Sequence, residues 1–75
     1  MKEHVEYMVK SLVENPDQVE VREIDGTHSV IFEVRVAKED MGRVIGKGGR
    51  VANAMRTLLR VAAIRQGKRA ILEIV

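Results

Sequence analysis

Residues 44–50 read Val44-Ile45-Gly46-Lys47-Gly48-Gly49-Arg50. Three glycines in four positions need a physical reason, because each costs stability relative to alanine in a regular element. They imply positive φ angles or a close approach by something else. The pattern on both sides is helical. Upstream, Lys38 to Ile45 places Met41, Val44 and Ile45 on one side, with Glu39 and Asp40 favourably in the first turn. Downstream, a longer helix runs from Arg50 to about Gln66, with Val51, Met55, Leu58, Leu59 and Ala62 as its main stripe and Gly67 as its stop. The glycines therefore turn a corner and stand just before a helix N-terminus. There, unpaired N–H groups and the positive end of the dipole favour an anion. Lys47 adds a cation at the tip, and Arg43 and Arg50 flank it. A phosphodiester suits this combination. Four residues alone would favour a ligand-free helix–turn–helix corner, because the pattern is so short. The apolar pair Val44-Ile45, the helices on both sides and the basic surroundings favour the phosphate.

Working outward, Lys2 to Glu14 carries Val5, Met8, Val9, Leu12 and Val13 at helical spacing, and Asn15-Pro16-Asp17 ends that helix. Gln18 to Ile24 alternates, with Val19 and Val21 opposite Glu20 and Arg22, and Asp25-Gly26 signals a hairpin. Ser29 to Val36 is the clearest strand: Val30, Phe32, Val34 and Val36 share one face. Ala70 to Val75 is apolar enough for a last strand buried on much of both faces. The order is α-β-β-α-α-β. A hairpin makes the first two strands antiparallel, and a right-handed helical crossover makes the second and third parallel. The predicted fold is α+β, a two-layer domain with a three-stranded mixed sheet and its helices on one face. Residues 1–75 form one domain.

At 75 residues, without cysteine, stability rests on an ordinary apolar core, helped or not by a partner chain. No apolar run approaches the roughly 18 residues of a membrane span, and the charged, alternating start is unlike a signal peptide. A cytoplasmic protein without membrane contact is expected. The net charge of +2 conceals a division. Residues 1–40 hold five basic against ten acidic side chains, and residues 41–75 hold eight basic against Glu73 alone. Such a dipolar chain has one face suited to a polyanion, although arginines on a solvated helix would give the same count.

Other chemistries find little support. A nucleotide P-loop needs four residues between its glycines and a Ser or Thr after the lysine. Here Gly42 and Gly46 enclose three, Gly48 follows Lys47, and the loop lies between helices. His4 and His28 stand apart with no partner at catalytic or metal spacing, and Ser11 and Ser29 belong to no triad pattern. No enzyme, cofactor, metal or small-molecule substrate is expected. Tyr7 and Phe32 are the only aromatic residues. Phe32 falls on the core face and Tyr7 off the apolar stripe, so base stacking on an aromatic platform is not expected.

The segment Val44-Ile45-Gly46-Lys47-Gly48-Gly49-Arg50, with apolar Ala52 and Met55 after it, resembles the signature of the KH domain. The element order is similar to the bacterial, type II arrangement and covers the whole chain. Length and layout resemble the small stand-alone KhpA family. In KH domains the GxxG loop clamps the backbone of about four nucleotides of single-stranded RNA while the bases lie against an apolar groove. The resemblance places phosphate contacts on Gly46, Lys47, Gly48, Gly49 and Arg50. It matches Val44, Ile45, Ala52 and Met55 to apolar positions divided between groove and core. Isoleucine is frequent where this chain has Ala52 and Met55, which affects the groove's shape. The family also implies an RNA chaperone or post-transcriptional regulator linked to cell shape and cell-wall homeostasis. Its expected partners are RNA, a second copy of the chain, or a second KH-containing protein of the KhpB type.

The long helix carries a second strip, Ala54, Thr57, Val61 and Ile64, turned away from its main stripe. Either the helix is wedged between neighbours and buries a wide arc, or the strip is a dimer seam. From that strip comes a rival function, a protein–protein adaptor with a vestigial nucleic-acid loop. Single-stranded DNA is a further alternative ligand.

Overall fold

A computed structural model describes residues 1–75. Helix α1 (Lys2–Leu12) buries Val5 and Val9 completely and leaves Tyr7 outside. It ends two residues before the predicted Glu14. Val13 is already extended, and the chain passes through a 3-10 turn at Pro16–Gln18 before strand β1 (Glu20–Asp25), which starts later than the predicted Gln18. Proline disfavours the helical region for Asn15, which has φ −119° and ψ 68°, and the Asp40 carboxylate captures the Glu14 and Asn15 amides.

Strand β2 (Ser29–Arg35) pairs antiparallel with β1, Val21 facing Val34 and Ile24 facing Ile31. The Gly26 amide donates to the Ser29 carbonyl at 2.8 Å and closes the hairpin. Strand β3 (Arg69–Ile74) lies parallel to β2, with Ser29 beside Arg69 and Val34 beside Ile74. The sheet order is β1-β2-β3. This is the α+β arrangement expected from the alternating and helical periods.

On one face of the sheet Val21, Val30, Phe32, Val34 and Leu72 meet Val5, Val9, Val44, Met55 and Leu59. Phe32 and its neighbours Val30 and Val34 are fully buried. Each such side chain contributes about 1.5–3 kcal/mol by leaving water. The opposite face has no covering layer. For that reason β3 is not buried on both faces, as its composition suggests: only Leu72 is buried, and Ile71 joins Ile24 on the open side.

The predicted Lys38–Ile45 helix divides into a 3-10 turn at Lys38–Asp40 and helix α2 (Met41–Ile45). Helix α3 (Arg50–Ile64) buries Ala52, Met55, Leu59 and Ala63. This line runs beside the predicted stripe, and Leu58 is 60% exposed. Period alone gives the width of an apolar face. Its rotation depends on which neighbours arrive. After α3, the Lys68 amide reaches the Ala63 carbonyl and the Gly67 amide the Ile64 carbonyl, both at 3.0 Å, a Schellman closure with Gly67 at the expected stop.

Candidate nucleic-acid interface

Asp40, just before α2, ties the helix that leads into the glycine corner to the segment after α1. This carboxylate is 1% exposed. It accepts the Glu14 amide at 3.1 Å, the Asn15 amide at 3.1 Å and the Asn15 side-chain amide at 3.0 Å. Burial by itself would raise the Asp40 pKa. The Glu14 amide, the Asn15 side chain and amide, and the Arg43 charge more than offset it, so the group lies below its ordinary value. Next to it, Arg43 donates to Glu14 at 2.6 Å. The start of α2 is thereby fastened to the end of α1. Arg43, placed beside the loop by sequence, has its guanidinium turned toward α1 by this pair.

Gly46 to Gly49 leave α2 through a turn that only glycine tolerates easily. Gly46 has φ 78° and ψ 170°, and a Cβ there would stand 2.5 Å from Val51 Cγ2 and 2.8 Å from the Val51 amide nitrogen. Gly48, at φ 64°, has nothing within 4 Å of where a Cβ would sit. The first glycine is packed against the helix and the second opens on solvent. Of the loop amides, Gly46 donates to Gly42, Gly49 to Gly46 and Arg50 to Lys47. The Lys47 and Gly48 amides make no protein hydrogen bond. Both residues are exposed, as is Arg50, and neither Lys47 nor Arg50 has a carboxylate partner. The corner thus offers two free N–H groups and two free cations to an anion.

The apolar positions of the motif divide clearly. Val44, Ala52 and Met55 are core residues, at 0%, 2% and 4% exposure. Ile45 is exposed at the surface beside the loop. Sequence reasoning did not find what lies beyond. Asn53, Arg56 and Arg60, spaced three and four apart, occupy the flank of α3 nearest β3. Asn53 comes within 3.7 Å of the position a Cβ on Gly49 would take, and its Oδ1 accepts from Arg56 at 3.0 Å. Arg56 also donates to the Leu72 carbonyl on β3, from Nε at 3.4 Å and from a terminal nitrogen at 3.3 Å. Past it opens a cleft of about 400 Å³, lined by Arg56, Arg60, Lys68 and Arg69 over Ile64, Ala70, Ile71 and Leu72. Lys68 is paired with Asp25; Arg60 and Arg69 have no carboxylate partner. The only signal in the sequence was the excess of arginine after residue 41, because the cleft needs β3 brought beside α3.

A family model described as the KhpA/KhpB KH domain matches residues 2–74. The chain belongs to this family. It is 56% identical over 75 residues to the RNA-binding protein KhpA of Caldanaerobacter subterraneus subsp. tengcongensis, with the whole of both chains covered. It is 51% identical over 75 residues to that of Clostridium acetobutylicum, again over both full lengths. To that of Aquifex aeolicus it is 47% identical over 74 residues, covering 99% of this chain and 94% of the other. No solved structure matches.

The KhpA/KhpB match spans the loop, the cleft and a third surface. Ala54, Thr57, Val61 and Ile64 are all exposed, Val61 at 54% and Ile64 at 66%, so α3 is not wedged along this strip. Leu58 continues it toward α1, where Met1, His4, Tyr7, Met8, Leu58, Leu59 and Ala62 line an apolar hollow of about 300 Å³. Tyr7 belongs to this hollow and Phe32 to the core, so neither ring faces the loop or the cleft. No helix is long and apolar enough to cross a membrane, and no group of His, Asp or Glu side chains could hold a metal ion.

Proposed function

We propose that the chain grips single-stranded RNA by its backbone at Gly46–Arg50 and lays the bases along the α3–β3 cleft, without chemistry. The observation that carries this reading is the pair of exposed, unbonded amides at Lys47 and Gly48 beside two cations without carboxylate partners. Relatives named RNA-binding protein KhpA support it. Aliphatic and polar contacts to the bases imply moderate affinity and a strong salt dependence. Neutralising about three phosphates on a single strand gives a log–log slope of about −2. In the cell this is the work of a cytoplasmic RNA chaperone or post-transcriptional regulator, bearing on cell shape and cell-wall homeostasis.

The test is Lys47→Asp combined with Gly48→Asp. Gly48 sits in the left-handed region, which aspartate tolerates better than most residues, and has open space around it. The variant is expected to keep its circular dichroism spectrum and melting temperature near those of the wild type and to lose RNA binding in fluorescence anisotropy. A folded double variant with undiminished affinity would refute the loop assignment. Matched DNA oligonucleotides separate the two nucleic acids.

A second reading is favoured by one observation, the exposed strip Ala54–Thr57–Val61–Ile64 with Leu58 beside it. This strip is a seam for a homodimer, or for a heterodimer with a KhpB-like protein. It also serves the adaptor alternative, in which assembly is the main task. A tight oligomer indifferent to RNA would favour the adaptor.

A further inference from the structure

Arg43, Lys47 and Arg50 are the cations that the chain brings to the glycine loop, and they are not equivalent. Lys47 and Arg50 have no carboxylate partner. Arg43 has one in Glu14, 29 residues earlier in the chain, at 2.6 Å. The pairing is exclusive on both sides, since neither side chain makes another hydrogen bond or ion pair. Glu14 does not owe its position to the pair. Asp40, just before α2, holds the Glu14 and Asn15 amides at 3.1 Å each, and Val13 has already left the helix. The carboxylate therefore rises from backbone fastened to the start of α2, within reach of Arg43.

Arg43 lies three residues before Gly46, an offset of about 4.5 Å along a helix, which is less than the length of its own side chain. The same guanidinium can turn to Glu14 or to an anion at the loop. A carboxylate and a phosphodiester each offer two oxygens to the guanidinium fork, and the fork serves only one of them in full. In the free chain the carboxylate has it. That hold is weak. The two side chains are 54% and 68% exposed, and an exposed ion pair is screened by water and salt. A phosphate bound by the free Lys47 and Gly48 amides is already fixed beside Arg43 and exchanges for the carboxylate.

We infer that Glu14 is an internal competitor of the RNA, occupying Arg43 in the free chain and yielding it to a phosphate next to the loop. Glu14 acts on the ligand only through Arg43, so it is a positioning residue. Each binding event breaks the pair, and the released carboxylate then faces a polyanion. The loop consequently binds more weakly than its three cations would allow, and releases its RNA more readily. The inference rests on the RNA-gripping reading above and adds the element that tunes its strength.

The experiment titrates the full chain by anisotropy against a fluorescein-labelled RNA dodecamer of random sequence at several salt concentrations. Glu14→Gln is expected to bind about two- to fivefold more tightly, the worth of an exposed ion pair. Asp17→Asn removes the same charge three residues on, at an exposed site without a cation partner, and should change affinity by less than about 1.5-fold. Arg43→Gln should weaken binding and reduce the salt slope by about 0.7, the share of one phosphate on a single strand. A purely structural role would leave that slope unchanged. In the Arg43→Gln background, Glu14→Gln should gain no more than Asp17→Asn does. The Asp40 bonds do not involve Arg43, so this variant stays folded, and circular dichroism checks it; Arg43→Met, which keeps an apolar stem, carries the same expectations. Equal gains from Glu14→Gln and Asp17→Asn would overturn the inference, as would a Glu14→Gln gain that survives in the folded Arg43 variants, or an unchanged slope. The loop reading stands through all of these as long as Lys47→Asp with Gly48→Asp abolishes binding. If the folded wild type binds no RNA, both fall.

Discussion

Gly46 and Gly48 stand two residues apart in one loop, and alanine at each should have very different consequences. At Gly46 the backbone has φ 78° and ψ 170°, a region nearly reserved for glycine, and forcing another residue into it costs about 1–3 kcal/mol. The added Cβ would also stand 2.5 Å from Val51 Cγ2, 2.9 Å from Val51 Cβ and 2.8 Å from the Val51 nitrogen. A new rotamer would move Cγ2 away. It would not move the nitrogen, which belongs to the first turn of α3. Relief requires shifting the helix, and overpacking of this kind costs about 1–3 kcal/mol more. The sum is about 2–6 kcal/mol, set against about 4–11 kcal/mol of total stability for a chain of this length. At Gly48 the angles are φ 64° and ψ 19°, ordinary left-handed geometry with nothing within 4 Å, so alanine costs about 1 kcal/mol. A gap of about 3 kcal/mol corresponds to about 12–24 °C in melting temperature for a domain of this size. Thermal and urea melts followed by far-ultraviolet circular dichroism measure it directly. If Gly46→Ala and Gly48→Ala melt within a few degrees of each other, the packing of the loop against Val51 is not what fixes the corner.

Two more outcomes follow from the same geometry. The Asp40 carboxyl titrates below its ordinary value of 3.8, so on acidification the unfolded chain takes up this proton first. The stability it supplies is complete above that value and disappears as pH falls through the lower folded one. Acid melts of the wild type should steepen below about pH 4, and Asp40→Asn should be weaker at neutral pH with a shallower acid slope. An unchanged acid slope in the variant would remove Asp40 from that role. Val61 is 54% exposed, so Val61→Asp should alter stability by no more than about 0.5 kcal/mol while halving the molar mass seen by light scattering. A mass equal to that of the wild type would exclude the strip as the seam.

The strands and helices were legible because their periods are local. Val30, Phe32, Val34 and Val36 alternate without interruption, and all four are buried. The hairpin at Gly26 and the stop at Gly67 were legible for the same reason, since a turn residue acts on its immediate neighbours. What was misplaced depends on contacts between distant segments. Helix α1 ends early because Asp40 takes the amides of Glu14 and Asn15, 26 and 25 residues away in the chain. Composition makes Ala70–Val75 read as buried on both sides, but burial there depends on whether a layer covers the second face. Leu58 has the right character for the core stripe, yet it lies on the shoulder that α3 turns toward α1.

The candidate site divides along the same line. The loop could be found because Gly46 to Arg50 are consecutive, so that φ requirement, charge and helix N-terminus coincide in one short stretch. Arg56 could not be singled out from the other arginines of α3. Nothing in its neighbours distinguishes it from Arg60 until β3 arrives and places the Leu72 carbonyl in reach. A charge count gives the sign of what the surface will attract, and with it any preference for a polyanion. Where the donors of Arg56 point is fixed only once β3 lies beside α3. In this fold the turn geometry and charge of the loop are therefore local properties of the sequence, and the cleft beside it arises only from the tertiary structure.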